Sequence, residues 1–322
     1  MKIGVLIPVS PFESLDVVLE SLECIKSLDF GEHEFKIVYV VDKNLECAEE
    51  LKKKGVEVLY REEARGRRAG AINDAVKFFS DFNPKYVAIF DVDSRPERNF
   101  VLECIKVLEK DEKIFIASSK RYVNNGINLP SETVEAEYHL INFFLNKLSW
   151  KQFNGLIGVL RYEYLKRGLE EGAITEDAEF STRMYAEGLR AEMVKTTKLY
   201  EEAPMSWKEL YLQRKRWYFG GLQLWKHRKK LKGKVKFSWI MALTLSYVVI
   251  IALPLLLLSP PLILYHYRKF SKLKVVFGLA IHTLILQLAA LDAFLSYVFG
   301  RDVSWGKMRR KAEFLNTKVK RI

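Results

Sequence analysis

Short apolar, β-branched runs alternate with amphipathic stretches through the first 120 residues, and few folds accept that rhythm. KIGVLIPV (2–9) and EFKIVYVVD (34–42) are continuous apolar runs, and between them Leu15, Val18, Leu19, Leu22 and Ile25 recur at helical spacing. The pattern then repeats: a helix near 45–54 and a strand at 56–60, a helix at 69–80 and a strand at 85–91, a helix at 97–110 and a strand at 113–119. Strands that are apolar on both faces, separated by amphipathic helices, imply βαβ units and a mostly parallel α/β sheet flanked by helices. Ligands of such sheets sit beyond the carboxyl ends of the strands. Asp42 and the Asp91/Asp93 pair lie at two such ends. Beyond residue 120 the spacing predicts a long helix over 131–149, a strand or bulged loop at 153–160, and helices over 177–188 and 206–228.

Charge divides the chain. Residues 226–322 carry 19 Lys and Arg against 3 Asp and Glu, whereas 1–225 carry 33 against 37. The expected organisation is therefore an α/β domain over 1–225 and a basic C-terminal region over 226–322. The run 238–267 has no charged residue, and 275–299 has only Asp292. Each is long enough to cross a bilayer. Two spans are expected, although Pro254 and Pro260-Pro261 also allow the first run to break into a re-entrant or interfacial pair. Positive charge bordering apolar segments favours anionic lipid over nucleic acid. Cys24, Cys47 and Cys104 show no CxxC spacing, which excludes a disulfide framework and fits a reducing compartment. MKIGVLIPVS turns at Pro8 and reads as a strand rather than a signal peptide.

Several short constellations carry chemistry. DVDSRP (91–96) places two carboxylates at i and i+2 behind an apolar strand, a hard-oxygen set for one divalent cation, or simply acidic caps for the next helix. Asp42 can accept from a base or ribose, or cap the helix that follows. In REEARGRRAGAIND (61–74), Arg65, Arg67 and Arg68 flank glycines at a helix start, suited to phosphate or to a solvated loop. Thr175-Glu176-Asp177 opens a helix with Thr175 as its expected cap, where the dipole favours a carboxylate that must act as a base, or is simply an acidic first turn. In QRKRW (213–217), Gln213, Arg216 and Trp217 share one helical face, matching either a diphosphate clamp with an apolar plate or a local cation–π stack. The scattered histidines have no metal spacing, and no GxSxG, Walker A or HExxH run is present.

In this order, Asp42 after VYVV, RAGAIN (68–73), Asp91-Val92-Asp93, FNGLIGVLR (153–161), Thr175-Glu176-Asp177 and Gln213…Arg216-Trp217 resemble a membrane-bound family-2 glycosyltransferase of GT-A fold, the branch of the cellulose, chitin and hyaluronan synthases. The resemblance covers residues 3 to 225. It implies a GT-A-like (Rossmann-like) domain followed by a helical membrane segment. It implies that Asp42 and Arg68 bind the donor nucleotide, that Asp91 and Asp93 hold it with Mg²⁺ or Mn²⁺, and that Gln213 and Arg216 bind its diphosphate. Asp177 would be the base, with Glu176 and Trp217 at the acceptor. The implied reaction is an inverting transfer from a nucleotide-sugar, a UDP-sugar first, to a lipid-linked or membrane-proximal glycan, at a cell membrane with the catalytic domain facing the cytoplasm.

The chain also departs from the family. SPFES follows the first strand where an Asn-Glu pair is usual, Arg68 stands for Lys, and no span is expected ahead of the domain. Two spans cannot enclose a polymer channel, so transfer of one or a few sugars fits better than processive synthesis. A nucleotidyltransferase of similar build and a non-enzymatic lipid-binding adaptor are the rival classes. Release of pyrophosphate would mark the first, and insensitivity to loss of Asp93, Asp177 or Arg216 the second.

Overall fold

A computed structural model describes residues 1–303. The basic stretch 307–321 lies outside the described residues. The chain divides into two compact units. The first comprises 1–121, 148–200 and 229–231, and the second 122–147, 201–228 and the segment from 232 onward.

The first unit is built on an eight-stranded sheet: β1 (Lys2–Val9), β2 (Glu34–Asp42), β3 (Glu57–Arg61), β4 (Tyr86–Ile89), β5 (Arg95–Pro96), β6 (Ile114–Val123), β7 (Gly158–Arg161) and β8 (Arg190–Glu201), in the order β3-β2-β1-β4-β7-β6-β8-β5. β1 lies between β2 and β4, so both its edges are paired, and its residues from Ile3 to Ile7 are buried on both faces without alternation. This is the continuous apolar signature of a parallel strand inside helices. The pairs β1–β2, β1–β4 and β2–β3 are parallel. Beyond β4 the sheet becomes mixed: β7 is antiparallel to β4 and β6, and β5 is antiparallel to β8. The parallel character is thus that of the N-terminal half, where the βαβ rhythm runs.

Connecting helices α1 (Leu15–Lys26), α2 (Leu45–Lys53), α3 (Arg67–Phe78) and α4 (Phe100–Leu108) fall where the periodicity places them. They contribute Val18, Leu22, Ile25, Leu51 and Phe100 to a core shared with Ile3, Val5, Ile7, Tyr39 and Ala88. The helix entering at α3 must pass against the preceding loop. A Cβ on Gly70 would stand 1.9 Å from the Arg65 carbonyl oxygen, which explains the glycine of RAGAIN.

The second unit is helical: α5 (Leu129–Lys147), then, after α6 (Tyr162–Leu165) and α7 (Glu176–Ala186) of the first unit, α8 (Trp207–Gln223), α9 (Gly233–Thr244), α10 (Ser259–Tyr267) and α11 (Lys274–Val298). α8 begins with a reciprocal cap, Ser206 accepting from the Glu209 amide and Glu209 accepting from the Met205 amide. Val134, Tyr138, Ala203 and Leu210 form its core, with Ile285 of α11 against them.

Of the two arrangements open to the first apolar run, the structure has the one broken at its prolines. Residues 238–267 are not one helix but α9, two 3₁₀ segments, one carrying Pro254, and α10 with prolines in its first turn. Proline removes the amide that a continuous helix needs. Among the described residues, one helix, Phe270–Val298, is long and apolar enough to cross a membrane.

Candidate active site

Asp42 ends β2 and Asp91 follows β4, the two parallel neighbours of β1. At both sites the capping roles belong to other residues. Asn44 caps α2, its side chain accepting from the Cys47 amide at 3.2 Å, so Asp42 is not the cap. α4 starts at Phe100 behind Asn99, so neither Asp93 nor Ser94 caps it. Instead the turn after β4 closes on itself: Asp91 N–H donates to Ser94 Oγ (3.1 Å), and Arg95 donates to the carbonyls of Val92 and Ser94. Asp93 is half-buried on this turn.

Asp42 is buried. Its Oδ1 lies 3.2 Å from Arg61 Nε without an aligned hydrogen bond. Burial lifts its carboxyl to about 6, against the pull of Arg61 and with a further push from Asp74. A buried carboxylate oxygen with lone pairs to fill is the kind of acceptor a base N–H completes.

The second cluster centres on Gly155. Its φ of +66° lets the 3₁₀ turn Asn154–Leu156 point both its carbonyl and its amide at side chains from distant segments. Arg68, in the first turn of α3, donates from Nε to Asp91 Oδ1 at 2.9 Å, from Nη1 to Glu176 Oε1 at 3.1 Å, and from Nη2 to the Gly155 carbonyl. The Gly155 amide donates to Asp177 Oδ2 at 2.6 Å. Gln152 donates to the same oxygen at 3.2 Å, and the Ala178 amide donates to Oδ1 at 2.8 Å. Asp177 is 8% exposed and Glu176 4%. Burial works against the charge of Arg68, but Asp91, Glu176 and Asp177 outweigh it and hold the guanidinium above the ordinary arginine range. Thr175 stands at the N-cap of α7, yet its side chain makes no capping hydrogen bond.

The structure therefore brings Arg68, Asp91, Glu176 and Asp177 together, with Asp93 two residues from Asp91. Gln213, Arg216 and Trp217 belong to the second unit, half-buried on α8. A cation–π stack is present there, made by Arg214, whose guanidinium lies 4.2 Å from the centre of the Trp217 ring. Gln152 and the two backbone groups of Gly155 were not singled out from sequence. Their signal is the glycine pair of FNGLIG, which marks a turn but not its partners.

Asp91 and Asp93 offer hard oxygen donors two residues apart. No group of three or more His, Cys, Asp or Glu suited to a metal occurs among the described residues. That donor set fits an ion that takes most of its ligands from diphosphate and water, as Mg²⁺ does.

The family model for glycosyl transferase family group 2 matches residues 86–295. Glucomannan 4-beta-mannosyltransferase 1 of Cyamopsis tetragonoloba is 26% identical over 246 residues, 70% of this chain and 46% of that protein. Glucomannan 4-beta-mannosyltransferase 9 of Arabidopsis thaliana is 26% identical over 54% of this chain and 34% of its own. The chain thus spans less than half the length of these curated relatives. Among solved structures, the mannosyltransferase PcManGT from Pyrobaculum calidifontis, in complex with GDP-Man and Mn²⁺, superposes with a TM-score of 0.65 at 16% identity, covering 93% of this chain and 88% of that one. S. aureus TarS 1-349 in complex with UDP gives 0.53 at 16% identity, with 96% and 94% covered. The fold is GT-A-like, and with the matched segment covering well over half its length the chain belongs to glycosyl transferase family group 2.

Proposed function

We propose that this chain is a glycosyltransferase that moves a hexosyl group, mannosyl first, from a nucleotide-sugar to a lipid-linked or membrane-proximal glycan, with inversion at the anomeric carbon. The observation that carries the reading is the convergence of Arg68, Asp91, Glu176 and Asp177 on Gly155 in a chain of this family. Curated relatives named for mannosyl transfer and a structural neighbour holding GDP-Man support the donor class. GDP-mannose thereby joins the UDP-sugars that the sequence motifs favour.

Asp42 receives the nucleobase, for which its unfilled oxygen is suited. Asp91 and Asp93 hold Mg²⁺ or Mn²⁺, which when bound neutralises charge on the diphosphate. Gln213 and Arg216 bind that diphosphate, Arg216 through charge-assisted hydrogen bonds. Arg68 holds Asp91 and Glu176 in a fixed relation and keeps positive charge beside the donor carboxylates. Asp177 takes the proton of the acceptor hydroxyl. Its three N–H partners set the direction of the carboxylate, and a base must lie within hydrogen-bond reach of the proton it removes. Glu176 and Trp217 flank the acceptor. The active site faces the cytoplasm, where nucleotide-sugars are made.

Purified protein in detergent is assayed with GDP-mannose and a panel of UDP-sugars, with Mg²⁺ or Mn²⁺. Short β-1,4-linked manno-oligosaccharides and a polyprenyl-phosphate-linked sugar serve as acceptors. Nucleoside diphosphate release dependent on acceptor is the expected result, and pyrophosphate release would overturn the reading. Asp177→Asn should lower kcat by at least about 10²-fold while donor affinity stays within about twofold. An equal loss of donor affinity would remove Asp177 from the role of base.

A further inference from the structure

Between the QRKRW residues, α8 carries a charge that the proposed donor and acceptor contacts do not use. Arg214 is 3% exposed. Its Nη2 donates to Glu137 Oε2 of α5, and the same carboxylate oxygen lies 3.2 Å from His282 Nε2 of α11. Burial pushes the Glu137 carboxyl up, but Arg214 and His282 outweigh it and hold the group down at about 2. One residue along, Lys215 pairs with Asp292 of α11 at 2.8 Å, and Tyr211 donates to the same carboxylate. His282 and Asp292 are thus two ionisable residues of a mostly apolar helix, and both are turned onto α8 or its partner.

A buried ion pair is a poor device for stability alone, because well-packed apolar side chains do as well. This one even leaves Arg214 Nε without a hydrogen-bond acceptor. What it does supply is direction. The guanidinium fixed by Glu137 lies 4.2 Å from the Trp217 ring centre, three residues along the same helix. A ring held by a cation that is itself held cannot swing with the free rotamer choice of an exposed tryptophan.

We infer that Arg214 is a positioning residue that, fixed by Glu137 and His282, sets the orientation of Trp217 for the acceptor sugar. The inference deepens the function proposed above and rests on the acceptor role given there to Trp217. Arg216 and Gln213 occupy the same helix, so loosening the helix would weaken both functions together, whereas loss of the Arg214 contact alone is selective: acceptor use suffers while diphosphate binding does not.

Arg214→Met, Arg214→Lys and the double variant Arg214→Met/Glu137→Leu are compared with the wild type in detergent. The readouts are acceptor KM with β-1,4-linked manno-oligosaccharide, Kd for GDP and UDP, thermal midpoint, and acrylamide quenching of Trp217. The quenching is isolated as the difference between each protein and its Trp217→Phe counterpart. Arg214→Met should raise acceptor KM at least tenfold and Trp217 quenching about twofold, with Kd within twofold. Arg214→Lys, which keeps the cation, should recover part of both. The double variant leaves no unpaired charge, so its thermal midpoint should return toward wild type while KM and quenching stay raised. Return of KM and quenching to wild type in the double variant would make the network merely structural and overturn the proposal. So would a loss of GDP or UDP affinity equal to the rise in KM, which marks a loosened helix. If the wild type transfers no sugar from any donor, the function proposed above falls, and the quenching comparison still decides whether Arg214 orients Trp217.

Discussion

At the scale of single residues, the carboxylates at strand ends were legible because a parallel strand inside helices exposes only its end. Asp42, Asp91 and Asp93 could be found by counting from an apolar run. What could not be read is who else competes for them. Arg68 meets Glu176 across 108 positions of sequence and Gly155 across 87, and no local spacing encodes such meetings. Arg61 beside Asp42 was hidden in the same way. That pair makes a pH prediction. An acid whose folded pKa is raised binds more protons folded than unfolded, so stability falls as pH climbs from its unfolded value through the folded one. For Asp42 the window runs from about 4 to about 6. Asp42→Asn should therefore raise stability above pH 6 by about 1–3 kcal/mol, give no gain at pH 4, and weaken nucleotide binding. Thermal midpoints across that range, with nucleotide titration, check it. A gain at pH 4 as large as that at pH 7 would assign the effect to packing.

At the scale of elements, the βαβ run was readable to within about four residues at each boundary, since buried strands are contiguous apolar runs and helices repeat every three to four positions. β8 was not found. RAEMVKTTKLYE mixes buried and exposed positions without strict alternation, so neither period stands out. FNGLIGVL resolves into a 3₁₀ turn and β7, with Gly158 packed where a Cβ would meet the Ala117 carbonyl at 2.6 Å. Glycine also sets the approach of α11 to α5. A Cβ on Gly278 would lie 2.0 Å from Thr133 Oγ1, and that hydroxyl is tied to the Leu129 carbonyl at 2.7 Å. Gly278→Ala should cost about 1–3 kcal/mol by overpacking. Adding Thr133→Ala should return most of it, which chemical denaturation of both variants measures. Additive losses in the pair would show that the two positions do not meet.

At the scale of the whole molecule, α11 is inverted relative to a helix of a water-soluble protein. Its buried side holds Gly278, His282, Thr283, Gln287, Ala289, Ala290, Ala293 and Ser296, with Val275 and Leu286 as its two larger apolar members. Its exposed side presents Phe277, Ile281, Leu284, Leu288, Leu291, Leu295 and Val298. A buried side made mostly of small and polar residues, with large apolar ones outside, is the arrangement of helices that face lipid. Purified protein should float with anionic vesicles. Phe277→Gln with Leu284→Gln, Leu288→Gln and Leu291→Gln should lower the bound fraction several-fold without loss of helical signal, and unchanged flotation would remove this face from membrane contact. The interleaving of the two units carries a last consequence, for biosynthesis. α5 leaves the ribosome before β7 and β8 have been made, and the helices it packs with, α8 and α11, come later still. Its apolar side must wait, shielded by chaperone or bilayer, until almost the entire polypeptide has been translated. Stalling synthesis between residues 150 and 270 should therefore yield nascent chains that aggregate readily, whereas the full-length product does not.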